Sequence, residues 1–288
     1  MALAELVRRL RPGDHVSWTV EDDDDYGRLC TEYVRDAVAQ HERVFLVTAG
    51  TTPSALLATL TDAGVDAEGL VRNGQLQVRP WEEVYLVDGR FQPELMIARC
   101  SETLARAHDD GFAGLRMLGD MSWAAAAPPG VDGLERYEAQ VNRVFLADDV
   151  RGVCVYDRRV FDGPRLAALQ TVHPGAAEPG VDEDWRPLLR IRRLDGTRGL
   201  RLDGEADVSN HEAVLIALDS LAGPASGGGL PTLDLTDLRF MDIATAHQVV
   251  LAAGTLGGLR VVGASPQLTR LLGLVGADRE PRLTIEPA

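Results

Sequence analysis

Few residues in this chain are suited to chemistry, and they are scattered. His15 in GDHVSW, Cys154 in VCVYD and His173 in TVHP carry the imidazole and thiol donors that zinc prefers. They lack the short spacing of a zinc knuckle, so each reads as a satisfied core side chain and no metal is expected. Asp120 after LRMLG, Trp123 just beyond it and Asp157 after VCVY stand where strands end. The two carboxylates would anchor polar groups of a small organic ligand and the indole would wall it, although strand-end carboxylates equally serve to cap the helices that follow. Ser17, Ser122 and Ser209 lack a GxSxG context. No catalytic constellation is legible, and the expectation is of a protein that is not an enzyme and carries no cofactor.

All 29 basic residues are arginine. Without lysine there is no Walker-A phosphate loop, no Schiff base and no pyridoxal-phosphate chemistry. The formal net charge of −15 argues against a nucleic-acid surface. No apolar run approaches the roughly 18 residues of a spanning helix, and the first residues lack a signal-peptide layout, so the expectation is cytoplasmic, with no membrane partner. Cys30, Cys100 and Cys154 lie far apart and read as buried thiols.

The elements that would position these residues alternate. Strand HVSWTV precedes the acidic run EDDDD and a helix to about Gln40; strand RVFLVTAG, helix TTPSALLATLTDAG and strand LQVRPW follow. Helix PELMIARCSETLARAHDDG leads to LRMLGDMSW, and helix LERYEAQVNRVFLA to RGVCVYDRR, both strands apolar throughout, as in a sheet covered on two faces. This is a doubly wound α/β pattern covering residues 1–175. A Pro-, Gly- and acid-rich linker takes 176–187, and a second α/β unit of about a hundred residues takes 188–288. The glycine-rich SGGGLP (226–231) precedes a strand and not a helix, so it reads as a flexible loop.

The motifs GDHVSW, GLRMLGDMSWA, the pair YE in ERYEAQVN, VCVYDRRVF and TVHP resemble the MEDS sensory domain, over about 11–174. That resemblance implies a bacterial module detecting small molecules on a RecA-like core without a P-loop. The residues agree: where the phosphate cradle would lie this chain has EDDDD, which repels a triphosphate by about a kcal/mol or more per close pair, so ATP hydrolysis is not expected. The crevice would be lined by Asp120, Trp123 and Asp157, with His15 nearby.

LRLDGEADVSN, LDLTDLRFMDIATAH and LRVVGASPQLTRLLGLVGAD resemble the STAS family of anti-sigma-factor antagonists and sulfate-transporter tails, a fold with a mixed sheet. That resemblance implies a partner face around Asp207, Asp242 and the helix after it. Phosphorylatable members carry a serine directly after the aspartate; here Ile243 stands there, followed by Ala244 and Thr245, leaving Thr245 as the only hydroxyl within reach. Implied partners are an anti-sigma factor or other regulatory protein, with a small organic ligand on the sensory side. A scaffold within a larger signalling assembly, or a small-molecule-modifying enzyme in the first domain, are the rival readings.

Overall fold

The computed structural model describes residues 2–146, 149–181, 184–222 and 229–287, so half of the glycine-rich loop 226–231 and part of the segment 176–187 lie outside the described residues. From the N-terminus, α1 (Ala2–Arg8), β1 (His15–Val20), α2 (Asp23–Ala39), β2 (Arg43–Thr48), α3 (Pro53–Asp62), α4 (Ala67–Arg72) and β3 (Leu76–Pro80) follow one another. A short helix α5 (Trp81–Tyr85) and a hairpin, β4 (Leu86–Val87) and β5 (Arg90–Phe91), lead into α6 (Pro93–Asp109) and β6 (Leu115–Asp120). Then come α7 (Leu134–Phe145), β7 (Val150–Asp157), α8 (Gly163–Thr171) and β8 (Gly175–Ala177).

Six of these strands form one sheet in the order β3-β2-β6-β7-β1-β8, every pairing parallel. Parallel strands need helical crossovers that cover both faces, which explains the apolar runs: β1 and β7 are buried along their whole length. At the amino-terminal edge of the sheet a buried polar network stands in for a hydrophobic layer. Arg116 donates through Nε to Glu42 at 2.5 Å and through Nη2 to Asp36 at 2.5 Å, while its register partner Arg151 pairs with the other Glu42 oxygen. Arg116 also lies over the Tyr33 ring, 5.3 Å from its centre.

The remaining chain builds a second sheet from β9 (Leu189–Arg193), β10 (Gly199–Ala206), β11 (Thr232–Met241), β12 (Leu259–Ala264) and β13 (Leu283–Pro287). Its order is β13-β12-β11-β10-β9, parallel except for the antiparallel β9–β10 pair, and it carries α9 (His211–Asp219), α10 (Ile243–Thr255) and α11 (Pro266–Leu274). Gly204 is required where β10 bulges: its φ is +110°, and a Cβ there would stand 2.2 Å from the Leu188 carbonyl oxygen. The α/β class, with a parallel sheet followed by a separate mixed sheet, agrees with the sequence.

Gly175–Ala177 pairs with β1 as the outermost strand, and Trp185 packs edge-on against Trp18, its indole donating to the Ala176 carbonyl at 2.9 Å. Helix α7 touches both sheets' layers. Leu146 at its C-terminus belongs to the apolar core of the second sheet, and Arg143 pairs with Asp219 at 2.5 Å. Among the described residues no helix is long and apolar enough to cross a membrane.

Candidate functional site

Parallel pairing of β1 with β7 sets His15 opposite Gly152 and Ser17 opposite Cys154. Gly152 makes room there, since a Cβ would meet the Phe145 ring at 2.3 Å and His15 Cδ2 at 3.0 Å. Phe145 accordingly stacks flat on His15, with ring centres 4.3 Å apart. On α7 the i,i+4 pair Glu138 and Asn142 faces the same spot, and His173, just past α8, closes it from the other side.

Each polar atom here can be traced. Asn142 Nδ2 donates to the carbonyls of Glu138, Ala139 and Val172 at 3.1, 3.0 and 2.8 Å, which leaves its Oδ1 facing His15 Nδ1 at 2.9 Å. His173 Nδ1 lies 2.8 Å from the Leu169 carbonyl oxygen. His15 Nε2 is 3.3 Å from Cys154 Sγ and 3.7 Å from Glu138 Oε2; Cys154 Sγ is 3.2 Å and His173 Nε2 3.5 Å from that same oxygen. Glu138 is 0% exposed and, among the described residues, forms no ion pair with an arginine. Burial, reinforced by His173, holds the His15 imidazole well below its ordinary value despite the Asn142 contact, and burial with the Glu138 carboxylate pushes the Cys154 thiol well up. Burial and then Glu138 do the same to the Tyr156 phenol. A cavity of about 330 Å³ reaches inward to His15 and Cys154 from a mouth lined by Arg79, Glu102 and Arg106.

The residues expected to share a crevice are divided. Asp120 and Asp157 do line one, of about 410 Å³, with Tyr26, Gly50, Ser122 and Arg159. Their carboxylates are occupied by the protein itself: Asp120 accepts from the backbone of Ala49, Gly50 and Ser122, and Asp157 pairs through both oxygens with Arg159. Arg159 Nη2 also meets Asp23 at 2.5 Å, joining this crevice to the start of α2, where Asp22 caps the helix by accepting from Asp25 N at 2.8 Å. Trp123 does not line this crevice. The turn of 3-10 helix Met121–Ala126 carries its indole into an aromatic cluster with Trp81, Tyr85 and Phe91. His15 lies in the separate cluster described above. Glu138 and Asn142 carried no assignment from the sequence; the pair YE and the i,i+4 spacing on α7 were the available signals.

On the second sheet, Asp242 caps α10 by accepting from Thr245 N at 2.7 Å. Thr245 is 1% exposed and its hydroxyl makes no hydrogen bond. Ile243 projects at 66% exposure, Ala244 is exposed beside it, and His247 and Leu251 continue the same face at i+4 intervals. Asp207 closes β10 on the neighbouring strand, its carboxylate accepting from Ser209 N at 2.8 Å and Ser209 Oγ at 2.6 Å.

A six-stranded parallel sheet wound on both faces, with a buried imidazole–thiol–carboxylate cluster, defines the class. The family model of the methanogen/methylotroph DcmR sensory domain, MEDS, matches residues 14–174, and the chain belongs to that family, which gives it a sensory role in signalling. No curated protein matches the chain. Among solved structures it is similar to a KaiC-like protein of the hyperthermophilic archaeon Pyrococcus horikoshii OT3, at 12% identity and TM-score 0.43, covering 62% of this chain and 77% of that one. It is likewise similar to the flagellar accessory protein FlaH of Methanocaldococcus jannaschii, at 13% identity and TM-score 0.44, covering 68% of this chain and 81% of that one. These similarities correct the expectation that the chain is not an enzyme. That expectation is withdrawn, since an α/β architecture of this kind gives no ground for excluding catalysis. At such identities the likeness concerns the fold and assigns no activity of its own.

Proposed function

We infer that the chain is a two-part signalling regulator: residues 1–175 receive a chemical signal, 176–187 connect, and 188–288 form a STAS-type output module that engages a protein partner of the anti-sigma-factor class. The observation that carries this is Ile243. An isoleucine two-thirds exposed at the first turn of a helix is disfavoured in water, and here it stands beside exposed Phe240 and Val208 at the carboxyl end of the second sheet. A covering surface explains such a patch. Its position matches the switch serine of the family that the sequence resembles, and an isoleucine there leaves a face that phosphorylation of that position cannot close. Coupling to the sensory part would run through α7 and the Asp14–Arg190 pair, which bridge the two sheets.

The test is capture of partners by the full chain beside its Ile243→Arg variant, with the captured proteins identified by mass spectrometry. Recovery of a kinase-like anti-sigma factor by the parent chain and its loss with the variant supports the reading. Recovery of no such protein, or equal recovery by both chains, overturns it.

A further inference from the structure

The His15–Glu138–Cys154–His173 cluster has too few protons for its lone pairs. Because Asn142 Oδ1 can only accept from His15, Nδ1 of His15 carries the hydrogen and Nε2 presents a lone pair inward. The Leu169 carbonyl fixes His173 in the same tautomer. Two imidazole lone pairs and a carboxylate therefore converge, and the Cys154 S–H is the one proton shared among the four side chains. Among the described residues Glu138 Oε1 and His173 Nε2 have no hydrogen-bond partner, and all four side chains are buried. A buried carboxylate with no counter-charge costs several kcal/mol, and a cation in the middle removes that cost.

We propose that His15, Glu138, Cys154 and His173 form a binding site for a divalent metal ion of the zinc class. Their donor atoms all lie within 4.8 Å of one another. Four of the six separations, at 3.2 to 3.7 Å, are those of ligands spaced around one tetrahedral ion at about 2.0–2.3 Å. Two nitrogens, a sulfur and one oxygen suit zinc or cobalt and not calcium or magnesium, which take oxygen ligands. The outer contacts are those of a metal centre: each histidine's far nitrogen is held by an amide or carbonyl oxygen, which fixes the ring and raises its basicity. The cavity reaching His15 and Cys154 supplies a path of entry. Binding deprotonates the Cys154 thiol, its proton passing to solvent, and a filled tetrahedron of four protein ligands makes this a closed site. The inference stands independently of the partner reading above.

The experiment titrates the full chain, first stripped with a chelator, with cobalt(II) and then zinc(II). One ion per chain, a cobalt–thiolate charge-transfer band that zinc abolishes, and a rise in Tm are expected. Cys154→Ser should lose the band, Glu138→Gln should weaken binding by about tenfold or more, and a chain with Cys30→Ala and Cys100→Ala, in which Cys154 is the sole thiol, should keep both. Circular dichroism of each variant establishes that it is folded. No bound ion at equimolar metal in the folded parent chain overturns the site in favour of an extra proton on the histidines. Unchanged affinity in folded Cys154→Ser, or absence of the band in the sole-thiol chain, overturns it in favour of binding elsewhere.

Discussion

Asp14 and Arg190 form a buried ion pair between the two sheets, with Arg190 Nε donating to Asp14 Oδ1 at 2.9 Å and Arg190 Nη2 donating to the Arg9 carbonyl at 2.9 Å. Arg11 N donates to the other Asp14 oxygen at 2.8 Å. Burial raises the Asp14 pKa, and Arg190 works against that rise. Arg190→Ala strands the carboxylate, and a loss of about 3–5 kcal/mol is expected in urea unfolding near neutral pH. The sign with pH follows from the raised value. A carboxyl whose folded pKa exceeds its unfolded one favours the folded state at low pH and loses that contribution as pH rises through it, so the deficit of Arg190→Ala should shrink on acidification. A deficit that is constant with pH would mean that Asp14 is not the group responsible.

The Arg116 network is the second buried polar device. Replacing Arg116 with methionine keeps volume but leaves Asp36 with the Gln40 amide in place of a counter-charge and Glu42 with Arg151 as its arginine partner. We expect a loss of about 3 kcal/mol or more by thermal or urea unfolding.

Thiol chemistry should be silent in the native protein. Burial pushes Cys30 up to about 12 and Cys100 up to about 11, and Cys154 is also raised by burial and Glu138. Because the thiolate is the reactive form, Ellman's reagent at mildly alkaline pH should leave all three cysteines unmodified until denaturant is added. Rapid reaction of any one in the native chain would reveal local opening at that element.

The start of α10 separates a structural residue from a recognition residue. Asp242→Ala removes the helix cap and should lower stability by about 1 kcal/mol. Ile243→Arg changes only an exposed position and should alter stability by no more than about 0.5 kcal/mol. A large loss of stability from the second substitution would place Ile243 in the fold and not on a binding face.

The doubly wound sheet was legible because a parallel strand covered on both faces is largely apolar, as VCVY is, although HVSWTV also buries His15, Ser17 and Thr19. The second sheet was legible from its alternating strands and helices. Periodicity cannot say which way a short turn throws a side chain. Trp123 follows Asp120 closely, but a 3-10 turn ending at Ala127 with φ +47° sends the indole into the core. The buried cluster was half legible. Its histidines and cysteine stood out by type, but the register that sets Gly152 opposite His15 is a property of the folded sheet, and Glu138 reads in sequence as an ordinary polar position on an amphipathic helix.

Leu146 ends α7 inside the apolar core of the second sheet, and Glu138, two turns earlier on the same helix, faces the buried cluster of the first. Cutting the chain in the 176–187 segment would therefore not release two intact modules. One fragment would carry Leu146 bare to water, and the other would expose the face of α9 that rests on it, giving both a sticky surface. The molecule is better pictured as one body with a shared beam than as beads on a string, and its melting should trace a single transition.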